Sequence, residues 1–224
     1  MHKKLFVVSL MLIILLSACR TYAPEDTVVN TPAPQAATMT FSENSTLFEI
    51  VPEESEARFL IDEVLRGEDK TVVGTTNQIT GQIALDFDNP TISAVGPIHV
   101  NVRSLVTDNN FRNRAIQGRI LLTGIYEFVT FTPTAIKGLP AEIKLGEAVE
   151  FEMDGDLAIT GFTQPVTFGV TATAVTQDRL EGSATSTIQR RPFDLIVPSA
   201  TGVAAVSEDI ILELDFVAAP NNGQ

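Results

Sequence analysis

Cysteine occurs once in this chain, at Cys19, and histidine twice, at His2 and His99. A lone cysteine excludes an internal disulfide. With Cys19 committed to the membrane attachment described below, no thiol nucleophile and no thiolate metal site remain. Basic side chains are also scarce: 15 Lys and Arg stand against 28 Asp and Glu, a formal net charge of −13. So acidic a chain is a poor match for nucleic acid, and its overall charge opposes electrostatic attachment to anionic lipid. Solubility is the plainest use of the excess. Long apolar runs are missing too, since the one run present, Leu5 to Leu16, falls short of the roughly 20 residues that a membrane-spanning helix needs. No nucleophile elbow, no phosphate-binding glycine loop and no metal-ligand spacing occurs. Asp154-Gly155-Asp156 lacks the further ligands of a calcium loop and reads as a turn. His99 alternates with Ile98 and Val100 and is expected to face solvent. These absences favour a protein that binds rather than catalyses, with no cofactor.

The short apolar run follows Lys3 and Lys4 and closes on Leu16-Ser17-Ala18-Cys19. This junction resembles the bacterial lipobox, where the peptide is cut before the cysteine and a diacylglyceryl group on its sulfur takes over as the anchor. Each buried methylene of an acyl chain adds roughly 0.8 kcal/mol, so several chains on one residue hold firmly where one does not. The expectation is export, followed by lipid anchoring on the extracytoplasmic side of the cell membrane, periplasmic or at the cell surface. Removal of residues 1–18 takes away Lys3 and Lys4 and brings the formal charge to −15.

Past Cys19 the composition turns to Pro, Thr, Ala and Asn, as in Thr31-Pro32-Ala33-Pro34-Gln35-Ala36-Ala37. With few apolar residues and no periodicity, this stretch cannot offset its ordering entropy by burial. The chain therefore divides into a signal peptide (1–18), a lipidated cysteine with a flexible tether (19–45), one folded domain (46–218) and a disordered tail (219–224). The domain is expected to be a monomer or a weak homodimer.

Within 46–218 the hydrophobic pattern has period two. Gln82 to Phe87, Ile98 to Arg103, Val149 to Met153, Val166 to Val170 and Leu212 to Phe216 all alternate, which puts one face of each strand against an interior and the other in water. Turns are expected at Asp88-Asn89-Pro90, Lys137-Gly138, Asp154-Gly155, Gly161 and Glu181-Gly182. One helix is expected, from Asn109 to about Leu122, capped by Asp108 or Asn109. Many short antiparallel strands with one short α-helix mean an all-β sandwich or a closed barrel.

Asp156-Leu157-Ala158-Ile159-Thr160-Gly161-Phe162-Thr163-Gln164-Pro165-Val166-Thr167-Phe168 reads as a hairpin in which Gly161 permits positive φ and Pro165 opens the return strand. This stretch resembles the signature of the YceI-like family. So do Asn101 to Thr107, Arg112-Asn113 and Tyr126 to Phe131, together with Val73-Gly74, Thr80 to Ile83, Ile188-Gln189-Arg190 and Phe193. The resemblance runs from about Phe48 to Val217. The chain departs from the family pattern at Glu54, where His is common, at Asn113 for Asp, at Glu127 for Pro and at Asp194 for Gly.

The resemblance implies a lipocalin-like antiparallel barrel of about eight strands, whose apolar cavity holds an isoprenoid chain such as a polyprenyl compound or a quinone tail. About eight strands suit a barrel that holds a small ligand or is filled by its own side chains. Alternation alone does not choose between the two, and a filled barrel would be an interaction module with an acidic docking surface. Candidate lining residues are Phe59, Ile61, Ile83, Leu85, Val100, Val102, Phe128, Phe131, Phe151, Met153, Phe168, Val170, Leu212 and Leu214. Phe128 and Phe131 are an odd number of residues apart, so both face inward only if a bulge intervenes. Arg190 and Arg191 are candidates to pair with a headgroup or with surface acids.

The anchor is the most directly tested of these expectations. Cys19→Ala should leave the domain folded and abolish incorporation of a clickable fatty acid during metabolic labelling. Undiminished label on the variant would rule out acylation at Cys19.

Overall fold

The computed structural model describes residues 42–220; the signal peptide, Cys19, most of the tether and residues 221–224 lie outside them. Thirteen strands form one antiparallel sheet. In chain order they are β1 (Thr46–Ile50), β2 (Glu56–Leu65), β3 (Glu68–Thr76), β4 (Ile79–Thr80), β5 (Gln82–Leu85), β6 (Ala94–Val95) and β7 (Ile98–Asn101), then β8 (Phe128–Lys137), β9 (Ala148–Ile159), β10 (Phe162–Thr176), β11 (Arg179–Gln189), β12 (Val203–Val206) and β13 (Asp209–Pro220). Eight of them are five residues or longer, and the other five have two to four. Eight strands, β3, β2, β13, β11, β10, β9, β8 and β7 in that order, form the barrel expected from the sequence. The short ones arise where glycines and prolines break longer extended stretches.

The sheet curls into a lipocalin-like barrel. From β13 it runs through β11, β10, β9 and β8 to β7, and on the other side through β2 to β3. The curl brings β3 round to the segment after β7, where Thr75 and Val106 exchange two backbone hydrogen bonds of 2.9 and 3.0 Å. β13 pairs with β11 along one side and changes partner along the other, from β2 at Ile211–Asp215 to β1 at Ala218–Pro220. Ser55 fills the gap between the two partners, its Oγ accepting from Val217 N at 3.0 Å and donating to Val51 O at 2.8 Å. Because of the pairing with β1, the last strand runs on to Pro220 instead of ending at residue 218.

The helix forms where the sequence places it, and its cap is Asn109, whose Oδ1 accepts from Phe111 N at 2.8 Å and Arg112 N at 3.3 Å. Its α-helical part, α1, is only Asn110–Ala115. Residues Ile116–Ile120 continue as a wider π turn, closed by Leu121 N to Ile116 O at 2.8 Å. Asn113, in place of an acid, receives both the backbone N and the hydroxyl of Thr107, at 2.8 and 2.7 Å. An amide oxygen thus does the accepting without a charge.

The turn at Thr160-Gly161 is as expected: both residues have positive φ, 50° and 83°, and join β9 to β10 through a two-residue loop, the backbone that suits the twist of a hairpin. Pro165 does not open the return strand, which begins at Phe162. It sits where β10 is paired with β9 alone, since β11 joins only from Gly169 onward, and an edge position tolerates the missing N–H. Asp194, where a glycine would be ordinary, is left-handed with φ 53° and ψ 33°, a conformation that Asp tolerates better than most residues.

Two expected turns are strand interiors. Gly155 lies in the middle of β9 and Gly182 in the middle of β11. Each is at an inward-facing position, and a phenylalanine ring crosses the space where a side chain would be. A Cβ on Gly155 would come within 2.5 Å of both the Phe131 ring and Thr132 O, and one on Gly182 within 2.5 Å of Thr171 O and 2.7 Å of the Phe216 ring. Gly74 on β3 is covered in the same way by Phe59, at 2.2 Å. Here glycine serves close approach, not chain reversal.

Gly155→Ala and Gly182→Ala are each expected to destabilise the domain by about 1–3 kcal/mol, the usual range for overpacking. Gly169 has nothing within 4 Å of its Cβ position, so Gly169→Ala should be neutral or stabilising by up to about 1 kcal/mol. Urea unfolding of the three variants checks this; equal effects at all three positions would refute the role given to the rings.

Candidate functional site

The inward faces of the strands do not meet. They enclose a cavity of about 660 Å³, within the range of roughly 300–1,000 Å³ in which small-molecule sites fall. The barrel is therefore not packed shut. Its wall is almost wholly aliphatic and aromatic: Phe59 and Ile61 from β2, Phe131 and Ile136 from β8, Phe151 and Met153 from β9, Phe168 and Val170 from β10, and Leu212 and Leu214 from β13. Every lining residue expected from the sequence borders this cavity except Phe128.

Phe128 is excluded by strand parity. Val129 and Phe131 line the cavity, and the bulge in β8 comes later, between Pro133 and Ala135, where it restores Ile136 to the inner face. Phe128 points the other way and packs edge-on against His99, with ring centroids 6.5 Å apart at 81°. The expected exposure of His99 is corrected by the same contact. Ile98 and Val100 do face the cavity, but the outer face is covered at this point. His99 is only 9% exposed, with Nδ1 3.0 Å from Thr130 Oγ1.

The helical cap closes one end of the cavity. Ile116, Ile120 and Leu121 turn inward from it, at the one-turn spacing that places side chains on one face of a helix. Polar groups collect beneath this cap. Glu63 follows Phe59 and Ile61 on the inner face of β2, is 8% exposed, and accepts from Arg112 Nη2 of α1 at 2.7 Å. Arg112 also pairs with Asp108, which is held in turn by Lys70 at 2.6 Å. Lys70 and Arg112 keep the Asp108 carboxyl below its ordinary range. Glu63, Arg112, Lys70 and Asp108 thus fasten α1 to the β2–β3 hairpin across the end of the cavity.

Arg190 borders the same end and is already engaged, with Nε on Ser207 O at 2.7 Å, Nη1 on Leu195 O at 3.0 Å and Nη2 on Glu208 at 3.1 Å. Arg191 is 86% exposed and shares Glu208 at 3.5 Å. Both arginines therefore pair with a surface acid. Among the described residues no group of three or more His, Cys, Asp or Glu is placed to hold a metal ion.

Residues 48–218 match the YceI-like domain, three quarters of the chain. The chain belongs to the YceI-like family. Among solved structures, this YceI-like domain is similar to Burkholderia cenocepacia BcnA, at 18% identity with a TM-score of 0.60, over 76% of this chain and 99% of that one. It is also similar to a polyisoprenoid binding domain from Saccharophagus degradans implicated in plant cell wall breakdown, at 11% identity with a TM-score of 0.60, over 77% and 98%. A Campylobacter jejuni YceI protein aligns at 19% identity with a TM-score of 0.54, over 65% and 83%. At such identities the likeness speaks for the fold. No curated protein matches the chain.

The parity of β2 would have revealed Glu63 as an inward-facing charge, and the spacing of Ile116 and Ile120 the inner face of the cap. Arg112 carries no such signal, because its partner is 49 residues away in the chain.

Burial holds the His99 imidazole below its ordinary pKa of 6.5. A base with a depressed folded-state pKa leaves stability at its plateau above the unfolded value, and stability falls as protons bind the unfolded chain below it. His99→Gln should therefore lose less stability than the natural protein as pH drops below 6.5. Urea unfolding across a pH series checks this; parallel curves would show that His99 does not contribute.

Proposed function

We propose that this YceI-like domain binds an isoprenoid-type apolar chain, a polyprenyl compound or the tail of an isoprenoid quinone, without catalysis, for storage or transport at the cell envelope. The observation that carries the reading is an unfilled, nearly all-apolar cavity of about 660 Å³, with Glu63, Arg112 and Arg190 among its lining at the capped end. A polyisoprenoid binding domain among the structural neighbours supports the same ligand class. An apolar chain gains roughly 25 cal/mol per Å² removed from water, so a few hundred Å² yield several kcal/mol before ordering is subtracted. The wall offers such a chain no hydrogen bond to lose. The Glu63–Arg112 pair marks the end where a polar headgroup would rest. In this reading the acylated Cys19 and the tether keep the domain beside the membrane from which its ligand comes.

Phe168 is the best probe of the wall. Its ring meets that of Phe131 edge-on, with centroids 4.9 Å apart at 67°. Phe168→Ala should weaken binding of a fluorescent isoprenoid quinone analogue by roughly tenfold or more while leaving a folded, less stable barrel. Equilibrium titration reads the first and circular dichroism the second. Absence of saturable binding by the natural protein to any isoprenoid quinone or polyprenyl compound would overturn the reading.

A further inference from the structure

The end of the barrel closed by α1 differs from the rest of the surface. The three most exposed large hydrophobic side chains among the described residues are Phe111 at 78%, Ile125 at 77% and Ile196 at 67%, and all three lie here. Phe111 is on α1 and also borders the cavity. Ile125 is on the turn that follows the helix. The adjoining Tyr126 ring lies over Gly161, at the tip of the β9–β10 hairpin. Thr160 of that tip donates to Phe193 O at 2.9 Å and so draws in the loop that bears Ile196. Phe162, 45% exposed, extends the patch.

The charge at this end is unusual as well. Residues 102–126 contain four arginines and one acid, Asp108, in a chain of net charge −13. Most described cations are paired with carboxylates. Arg66, Arg114 and Arg119 are the described ones that make no such pair; Arg114 and Arg119 stand on the cap, while Arg66, on the β2–β3 turn, is followed by the exposed acids Glu68 and Asp69. Arg114 lies over the Phe111 ring at 4.6 Å, a cation resting on an apolar group that is itself in water. Exposed aromatic and aliphatic tips with the unpaired Arg114 and Arg119 beside them suit a phospholipid interface, where the apolar tips enter among the acyl chains and the guanidinium groups meet phosphate. The acidic remainder of the surface would be repelled by the same membrane, which fixes the orientation.

We propose that this end docks on an anionic phospholipid surface, with Phe111 and Ile125 inserted and the α1 cap of the cavity turned to the bilayer. Taking the isoprenoid reading of the cavity as given, the capped end, where Phe111 borders the cavity, then lies against the bilayer from which the ligand comes. The chain enters β1 at the far end of the barrel. A tether of about 25 residues, at up to roughly 3.3–3.6 Å each, is long enough for anchor and docking face to reach one membrane together.

Hydrogen exchange on the full chain tests this, with vesicles of phosphatidylcholine alone and of equal parts phosphatidylcholine and phosphatidylglycerol. Slowed exchange is expected at 109–126 and around 160–162 with the anionic vesicles, less with the neutral ones, and it should be lost in the double variant Ile125→Ser, Arg119→Glu. Neither of those residues borders the cavity, so the variant should keep the melting temperature and the quinone affinity of the natural protein in the absence of vesicles. No slowing with either vesicle, slowing confined to the 138–147 loop at the far end, or the same slowing without vesicles on raising protein concentration would each overturn the docking proposal, the last in favour of self-association. Loss of quinone binding by the natural protein with slowing still present would instead overturn the ligand reading alone.

Discussion

Contact between inward-facing glycines and phenylalanine rings is the constraint on which the cavity depends. Gly74, Gly155 and Gly182 lie under Phe59, Phe131 and Phe216, and each ring spends its bulk along the wall instead of across the lumen. A side chain at any of the three glycines would lift its ring into the space the barrel encloses. Glycine in a strand ordinarily weakens it, and an aromatic partner laid across the gap restores contact while letting the sheet bend. Curvature and open volume thus come from the same pairs. A filled barrel would need the opposite arrangement, with bulky side chains projecting from all inward positions.

These pairs also explain where the sequence misleads. Asp154-Gly155 and Glu181-Gly182 carry the composition of turns, and local composition cannot distinguish a glycine that reverses the chain from one that admits a ring from a neighbouring strand. Long-range partners decide it: Gly182 faces Phe216 across the β11–β13 ladder. The strand pattern itself was legible because period two registers burial on one face directly. The same periodicity identified the inner residues of β5, β9, β10 and β13. It failed at Phe128 only because two aromatics of opposite parity could not be ranked without the position of the bulge, which falls between Pro133 and Ala135.

His99 shows a second limit. Alternation correctly puts it on the outer face, but the outer face of a barrel is not everywhere wet. Phe128 and Thr130 of β8 cover the ring, so the residue excluded from the cavity and the histidine expected in water form one contact. The polar end of the cavity was less legible still. Glu63 could be read from parity, but a charge at an inward position conflicts with an apolar interior until its partner is known, and Arg112 reaches it from a helix inserted between β7 and β8.

Charge is therefore informative in this protein by its distribution, not its sum. A net charge of −13 argues against attraction of the whole molecule to an anionic surface, and that argument holds for a uniform distribution. Two of the three described cations that lack carboxylate partners, Arg114 and Arg119, are on the cap. Interactions between exposed charges are largely screened beyond about 8–10 Å at physiological salt, so an approaching surface senses the nearest end and not the total. The cap presents arginines and bare hydrophobic tips together. In the docking proposed above, the excess of acid elsewhere orients the barrel, and the capped end is the face turned to lipid.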